Sequence, residues 1–403
     1  MRKDIDDIMG RKKIDAFIIS GSPEKDSSLF YLLGVNKLSA LLIKKRNHRP
    51  VLIHQAMERD EAKKTGMELV DVSKYHYRKI LDEEKDPLKA DLRFYKILFE
   101  EFGIKGRVAF YGLDRAGHAY HLLKRLEVET AIEVVYEPWC NVLVEAREAK
   151  AKDEVEKIRS VGRGTGIVIE RLIGLLRGLK RRDGFLLNDD GERFRIGDIR
   201  KFVSEEVYRL GLREVGSTII SIGRDAGVPH NYGNDDDPIE EGKTIIFDIF
   251  PKDPKTGYFF DCTRTFVLGR ASDEIRHCYE LVKKAQEMAI KSFRPGVKTY
   301  EFEENVCQFF EKNGHKTLRS DPMTKEGYVH SLGHGLGLDV HEYPSFGLAR
   351  SKPDILRPGA VFTVEPGLYY PEKGFGIRIE DVVYMDGDGE IENLTEIPKV
   401  LEI

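Results

Sequence analysis

The sequence predicts an α+β protein of two domains: a smaller α/β domain, residues 1–146, followed by a larger domain, residues 147–403. Three observations predict it. The chain has 403 residues, more than a single hydrophobic core usually serves. Its first part alternates short β-rich runs with helical stretches. Its second part groups helices with hairpin-connected strands, the pattern of helices covering one face of an antiparallel sheet.

In the first part, "DAFIIS", "LSALLIKK", "PVLIHQ" and "GRVAFYG" read as strands bounded by turn or charged residues. Between them, "QAMERDEAKKTG" and "DPLKADLRFYKILFEEFG" carry helical spacing, and Gly103 is placed to end the second. Charged helical sequence then replaces the β alternation in "EPWCNVLVEAREAKAKDEVEKIR", which sets the expected boundary near Arg147. The second part continues with the amphipathic "IGDIRKFVSEEVYRLG". Strands "KTIIFDIF" and "GYFFDCTRTFVLG" follow, joined by the turn-rich "PKDPKTG". Ser272 and Thr299 are N-cap residue types ahead of two more helices. "AVFTVEPG" and "GIRIEDVVYMD" close the chain as β-like runs.

Composition excludes several classes. A net charge of -4, with no long basic cluster, gives no electrostatic footprint for nucleic acid. The opening "MRKDIDDIMGRKKIDAFIIS" has no uninterrupted apolar core and does not read as a signal peptide. No apolar run approaches a membrane span. Cys140, Cys262, Cys278 and Cys307 are scattered without pairing motifs, which favours free thiols and a cytoplasmic address.

The informative acids are those set in apolar runs: Asp248 in "TIIFDIF", Asp261 in "GYFFDCTRTFV", Glu365 after "VFTV" and Glu380 in "GIRIEDVV", where Arg378 shares its face by the two-residue period. Taken singly, each reads as the polar face of its strand. Taken together, they would repel unless cations or protons intervened. The hairpin should bring Asp248 and Asp261 almost opposite each other. Two divalent ions would balance four carboxylates. The segment "HSLGHGLGLDVHE" holds three of the chain's eleven histidines. Gly333, Gly335 and Gly337 argue against a helix there, each costing about 1 kcal/mol relative to alanine. An extended backbone would carry His334 to a metal, with His330 and His341 lining the approach; a glycine-rich surface loop is the alternative for either flanking histidine. The "GHGLG" spacing fits neither the dinucleotide fingerprint nor the Walker pattern.

Asp248, Asp261, His334, Glu365 and Glu380, in that order and within "FDIFPKDPKTGYFFDCTRTF", "HSLGHGLGLDVHE", "TVEPGLYY" and "GIRIEDVV", resemble the dinuclear metallopeptidases of the pita-bread fold. Within it, the resemblance is to the branch of Xaa-Pro aminopeptidase and Xaa-Pro dipeptidase (prolidase). It runs from about residue 150 onward, and "IDAFIISGSPEKDSSLFYLLGV" resembles the start of that branch's creatinase-like N-terminal domain. The resemblance implies a pita-bread catalytic domain and hydrolysis of the bond preceding proline. It implies two divalent ions and a homodimer acting on proline-containing peptides or dipeptides; carboxylates outnumbering one imidazole suit Mn or Co, with Zn possible, and the charge and short apolar runs leave no nucleic-acid or membrane partner expected. It places Asp248 on one metal, Asp261 and Glu380 between both, and His334 and Glu365 on the second. Glu365 would also shuttle a proton, while His230, His330, His341 and Arg378 would face substrate. Without the resemblance, His230 reads as a turn histidine after Val-Pro. An aminopeptidase is expected ahead of a dipeptidase; a metal-free creatinase-like hydrolase or a non-catalytic peptide-binding module are remoter alternatives. Two departures stand out. The Asp248–Asp261 spacing is two residues longer than usual in the family, and Phe250 stands where a glycine is common. Both bear on substrate fit.

Overall fold

The computed structural model describes residues 4–352 and 354–403. The chain divides into two compact units, Met1–Arg147 and Glu148–Ile403.

The first unit is built on one six-stranded sheet. Its strands are β1 (Ala16–Gly21), β2 (Ala40–Lys45), β3 (Val51–His54), β4 (Glu68–Asp71), β5 (Gly106–Tyr111) and β6 (Ile132–Val134). They lie in the order β4-β3-β2-β1-β5-β6, and only β2 runs against its neighbours. Alternate residues serve opposite faces: Phe17, Ile19 and Leu42 enter one core cluster, and Ala16, Ile18 and Ile43 the other. The helix Pro87–Phe102 starts where the Asp86 carboxylate accepts from the Leu88 and Lys89 amides, and stops at Gly103, whose φ of +59° suits a residue without a β-carbon. "QAMERDEAKKTG" is less regular than its spacing suggests: a 3₁₀ turn, Ala56–Glu58, precedes a short helix, Arg59–Lys64.

In the second unit the charged stretch forms the long helix Lys152–Gly178. The hairpin β7 (Lys180–Arg182) and β8 (Phe185–Leu187) and the helix Ile196–Arg209 follow. β9 (Ile219–Ile222), β10 (Thr244–Ile249) and β11 (Cys262–Val267) form an antiparallel sheet with β10 central. Helices Asp273–Ser292 and Thr299–Lys312 come next. Ser272 caps the first by accepting from the Ile275 amide. Thr299 does not cap the second; it lies inside the helix, and its hydroxyl donates to Ser345 O.

The remaining strands are β12 (His334–Gly335), β13 (Glu342–Ser345), β14 (Val361–Val364), β15 (Gly367–Tyr370), β16 (Phe375–Arg378), β17 (Asp381–Met385) and β18 (Ile391–Asn393). The expected single antiparallel layer is in fact divided. β13-β12-β14-β17-β18 form one sheet and β15-β16 a separate hairpin. "AVFTVEPGLYY" and "GIRIEDVVYMD" are therefore each two strands, and the chain changes sheet at Glu365-Pro366 and again at Ile379-Glu380. Val282, Ala285 and Ala289 of the helix Asp273–Ser292 pack against Phe362, Val364, Leu368 and Ile377 from both sheets. Fully burying one larger side chain of this kind stabilises by roughly 1.5–3 kcal/mol.

Candidate metal centre

All nine residues singled out from the sequence line one cavity of about 510 Å³ in the second unit: Asp248, Asp261, His334, Glu365, Glu380, His230, His330, His341 and Arg378. Each arrives by a different backbone device. Asp248 lies inside β10, where it pairs with Thr263 rather than with Asp261. Asp261 sits two residues further along the partner chain, on the same face by the strand period. The two aspartates are diagonal, not opposite, because the hairpin register is shifted from the one that the turn at Pro254 suggested. Glu365 and Glu380 sit at the two changes of sheet. Asp261, Glu365 and Glu380 thus project from strand ends, not from strand interiors as the apolar runs implied.

His334 comes from the glycine segment, and close approach explains the glycines. A β-carbon on Gly333 would stand 2.0 Å from Thr363 O, and one on Gly335 would stand 2.1 Å from Tyr343 O. Two buried acids that the sequence reading missed tie the segment down. Glu303 accepts from the Leu332 amide at 2.6 Å, between His330 and His334. Glu342 accepts from the Leu338 and Asp339 amides at 2.9 and 3.1 Å, and pairs with buried Lys150 at 2.9 Å. Glu303 was visible as an acid on the apolar face of "YEFEENVCQFF"; Glu342 was quoted in the motif without a role.

Asp248 and Glu380 are each held by one oxygen and bare at the other. Arg378, 1% exposed, donates from Nη2 to Asp248 Oδ2 at 2.6 Å. Its Nε donates to Thr263 Oγ1 at 3.0 Å, and that hydroxyl donates to Glu380 Oε2 at 2.8 Å. Asp248 Oδ1, Asp261 Oδ1 and Glu380 Oε1 are buried and have no hydrogen-bond partner. An unpaired buried polar atom costs about 1–3 kcal/mol, more if charged. His334 adds a lone pair to the same space. Its Nδ1 lies 3.1 Å from Gly335 O and so carries the hydrogen, which leaves Nε2 unprotonated at 3.3 Å from Glu365 Oε1 and 3.7 Å from Asp261 Oδ2. Ligand atoms of Asp261, His334 and Glu380 lie within 4.8 Å of one another. This donor set fits divalent cations: bare oxygens and an imidazole lone pair converge, and of the side chains lining the cavity Arg378 alone carries a fixed positive charge among the described residues.

Electrostatics agree. Burial, then the charges of Glu380, Asp248 and Glu365, push the Asp261 carboxyl well above its usual range. Burial and Glu380 do the same to Glu365. Burial and Asp248 push Glu380 up to about 8. Burial drops His334 and His330 to about 3, so both rings are neutral. His330 Nδ1 lies 3.0 Å from Ser331 O and its Nε2 lies 3.2 Å from His230 Nε2. With its hydrogen on Nδ1, His330 accepts at Nε2 and His230 donates. His341 is exposed, its ring centroid 4.3 Å from that of His334. Phe250 and Tyr232 also line the cavity, as do Ile219 and Val340.

Arg264 and Gln286 also escaped the sequence reading. Arg264, 1% exposed, donates to Glu380 O at 2.6 Å and pairs with Asp381 at 2.9 Å. An arginine inside a wholly buried strand was the signal. A cavity of about 1100 Å³ in the first unit is larger, but among the described residues no metal-type ligand cluster lies there. No helix among the described residues is long and apolar enough to cross a membrane.

The chain matches the family described as Metallopeptidase family M24 over residues 156–386. A putative dipeptidase, YkvY, of Bacillus subtilis is 34% identical over 203 residues, covering 50% of this chain and 51% of that protein. A Xaa-Pro dipeptidase of Pyrococcus furiosus is 33% identical over 172 residues, covering 43% and 45%. The chain thus spans about half the length of the curated relatives it matches. Among solved structures, a Xaa-Pro dipeptidase from Bacillus anthracis superposes with a TM-score of 0.76 at 20% identity, covering 100% of this chain and 98% of that one. An X-Pro aminopeptidase from Thermotoga maritima gives 0.74 at 24% identity, covering 97% and 98%. These likenesses establish the fold: the pita-bread arrangement with a preceding α/β unit, as the sequence led us to expect.

Proposed function

Because the chain belongs to Metallopeptidase family M24, we propose that it is a metal-dependent exopeptidase that hydrolyses the peptide bond preceding proline. One observation carries the reading: three partnerless buried carboxylate oxygens and the His334 lone pair meet in a single cavity. A metal-free creatinase-like hydrolase would leave those oxygens bare, which disfavours it.

Asp248 would chelate one divalent ion, Asp261 and Glu380 would bridge, and His334 and Glu365 would hold the second. A ligand set rich in carboxylates with one imidazole suits Mn or Co, and Zn is also compatible. When bound, the ions would supply a nucleophilic water ionised at neutral pH and positive charge for the developing oxyanion. The chain's own groups do the rest. Arg378 holds Asp248 in place through Oδ2 and so turns Oδ1 toward the cavity. Glu365 would relay to the proline nitrogen the proton that the attacking water gives up, since the nitrogen of a tertiary amide has no hydrogen of its own. His341, exposed at the cavity, is the donor we assign to the carbonyl oxygen. His330 has its one hydrogen engaged with Ser331 O, so its part is to orient His230.

Substrate length is a finer matter. The sequence led us to expect an aminopeptidase acting on longer peptides, whereas the names of the relatives called Xaa-Pro dipeptidase favour Xaa-Pro dipeptides. We also propose a cytoplasmic homodimer, on the scattered cysteines and the family resemblance. The test is hydrolysis of Ala-Pro, Ala-Pro-Ala and Ala-Ala by metal-free protein with and without added Mn²⁺. Mn²⁺-dependent cleavage of the proline peptides, with Ala-Ala spared, is expected. A protein that takes up no metal and cleaves none of them is a binding module instead.

A further inference from the structure

Gln286 lies on the helix Asp273–Ser292, wholly buried among apolar neighbours. Its amide nitrogen donates to two backbone oxygens, Val364 O at 2.8 Å and Ile379 O at 3.1 Å. Those are the residues immediately before Glu365 and Glu380.

The backbone around these glutamates shows why that matters. The β14–β17 ladder ends at the pair Val364↔Asp381, and the β15–β16 ladder begins at Gly367↔Arg378. Both keep one register, so Glu365 faces Glu380 across the interruption. The two do not pair there. The Glu365 amide donates to Leu332 O at 2.7 Å, and the Glu380 amide donates to Thr263 O at 3.1 Å, each on a different neighbouring segment. One long bond survives in the interruption, from the Ile379 amide to Pro366 O at 3.5 Å; the pair that lacks any is Glu365 and Glu380, from which both carboxylates reach the cavity. A primary amide has two hydrogens, and Gln286 spends both across this interruption.

We propose that Gln286 is a positioning residue for the metal centre: one side-chain amide, fixed by the packed helix, sets the separation of the two strand breaks that present Glu365 and Glu380. The inference rests on the metal reading above. Gln286 touches neither the cavity nor substrate; it acts through the two glutamates. A purely structural role would lower stability alone. A positioning role lowers metal affinity as well, because ligands tied down by outer hydrogen bonds bind through a prearranged geometry.

The experiment titrates metal-free full-length protein with Mn²⁺ against a competing chromophoric chelator, well below the melting temperature, and repeats it with Co²⁺ for the absorption spectrum. Gln286→Met keeps the shape and removes both donors. Gln286→Asn keeps the donors on a shorter arm. Leu281→Ala, on the same helix and 5% exposed, is the control for destabilisation without loss of these bonds. Gln286→Met should bind Mn²⁺ roughly 10–100-fold more weakly and alter the Co²⁺ spectrum; Gln286→Asn should fall between it and wild type. Leu281→Ala should lose melting temperature but keep affinity. Wild-type affinity in both Gln286 variants, or an equal loss in Leu281→Ala, overturns the inference and leaves the function standing. A wild-type protein that binds no metal overturns both.

Discussion

Asp261 is the residue whose surroundings are hardest to satisfy without a cation. It is buried, its Oδ1 has no partner, and three other carboxylates press on it. Asp261→Asn should therefore lose at least one metal equivalent per chain by elemental analysis. Its kcat/KM on Ala-Pro should fall by more than the roughly 100-fold typical of outer-sphere changes. Full metal content with full activity would remove Asp261 from the ligand set. At this scale the sequence was informative. Acids in apolar runs and histidines among glycines are conspicuous against their neighbours, and all nine named side chains line one cavity. What the sequence hid was hydrogen bonding. Gln286 reads as one more polar residue on an amphipathic helix, and only the carbonyls it meets distinguish it.

Elements show a different balance. The apolar runs around Glu365 and Glu380 read as continuous strands because periodicity reports burial on each face and is silent about which sheet a residue joins. The diagonal placement of Asp248 and Asp261 was hidden for a related reason, since register depends on turn geometry that the composition of "PKDPKTG" leaves open. Phe250, just beyond β10 and on the face of Asp248, makes that strand end an aromatic wall of the cavity. Phe250→Ala should raise kcat/KM for Phe-Pro relative to Ala-Pro by about 10-fold, the low end of what pocket methylenes discriminate. An unchanged ratio would place that wall away from the substrate side chain. The helix Thr299–Lys312 carries a second prediction. Burial pushes its Glu303 carboxyl up to about 7. A folded value above the unfolded one means that the folded state binds the extra proton. Its contribution is present below pH ~4.5 and is lost as pH rises through ~7, a decline of roughly 3 kcal/mol. Glu303→Gln should flatten that part of the urea-midpoint profile, and an unaltered slope would show that Glu303 titrates normally.

For the molecule as a whole, the two-part α+β architecture was legible because it rests on long-range contrasts: β/α alternation first, helices with hairpins later. Its divided sheets were not, because they arise from tertiary packing of helix Asp273–Ser292 across both. The five proposed ligands come from separate segments and meet only when the second unit is folded, so metal binding should stabilise that state and chelation should lower its melting temperature. A melting curve unmoved by EDTA, with metal shown to be removed, would speak against a site of this kind. The most direct test is anomalous scattering from crystals grown with Mn²⁺. Two peaks inside the cavity, enclosed by Asp248, Asp261, His334, Glu365 and Glu380, are predicted; an absence of peaks there while Mn²⁺ occupies another part of the chain would contradict the account.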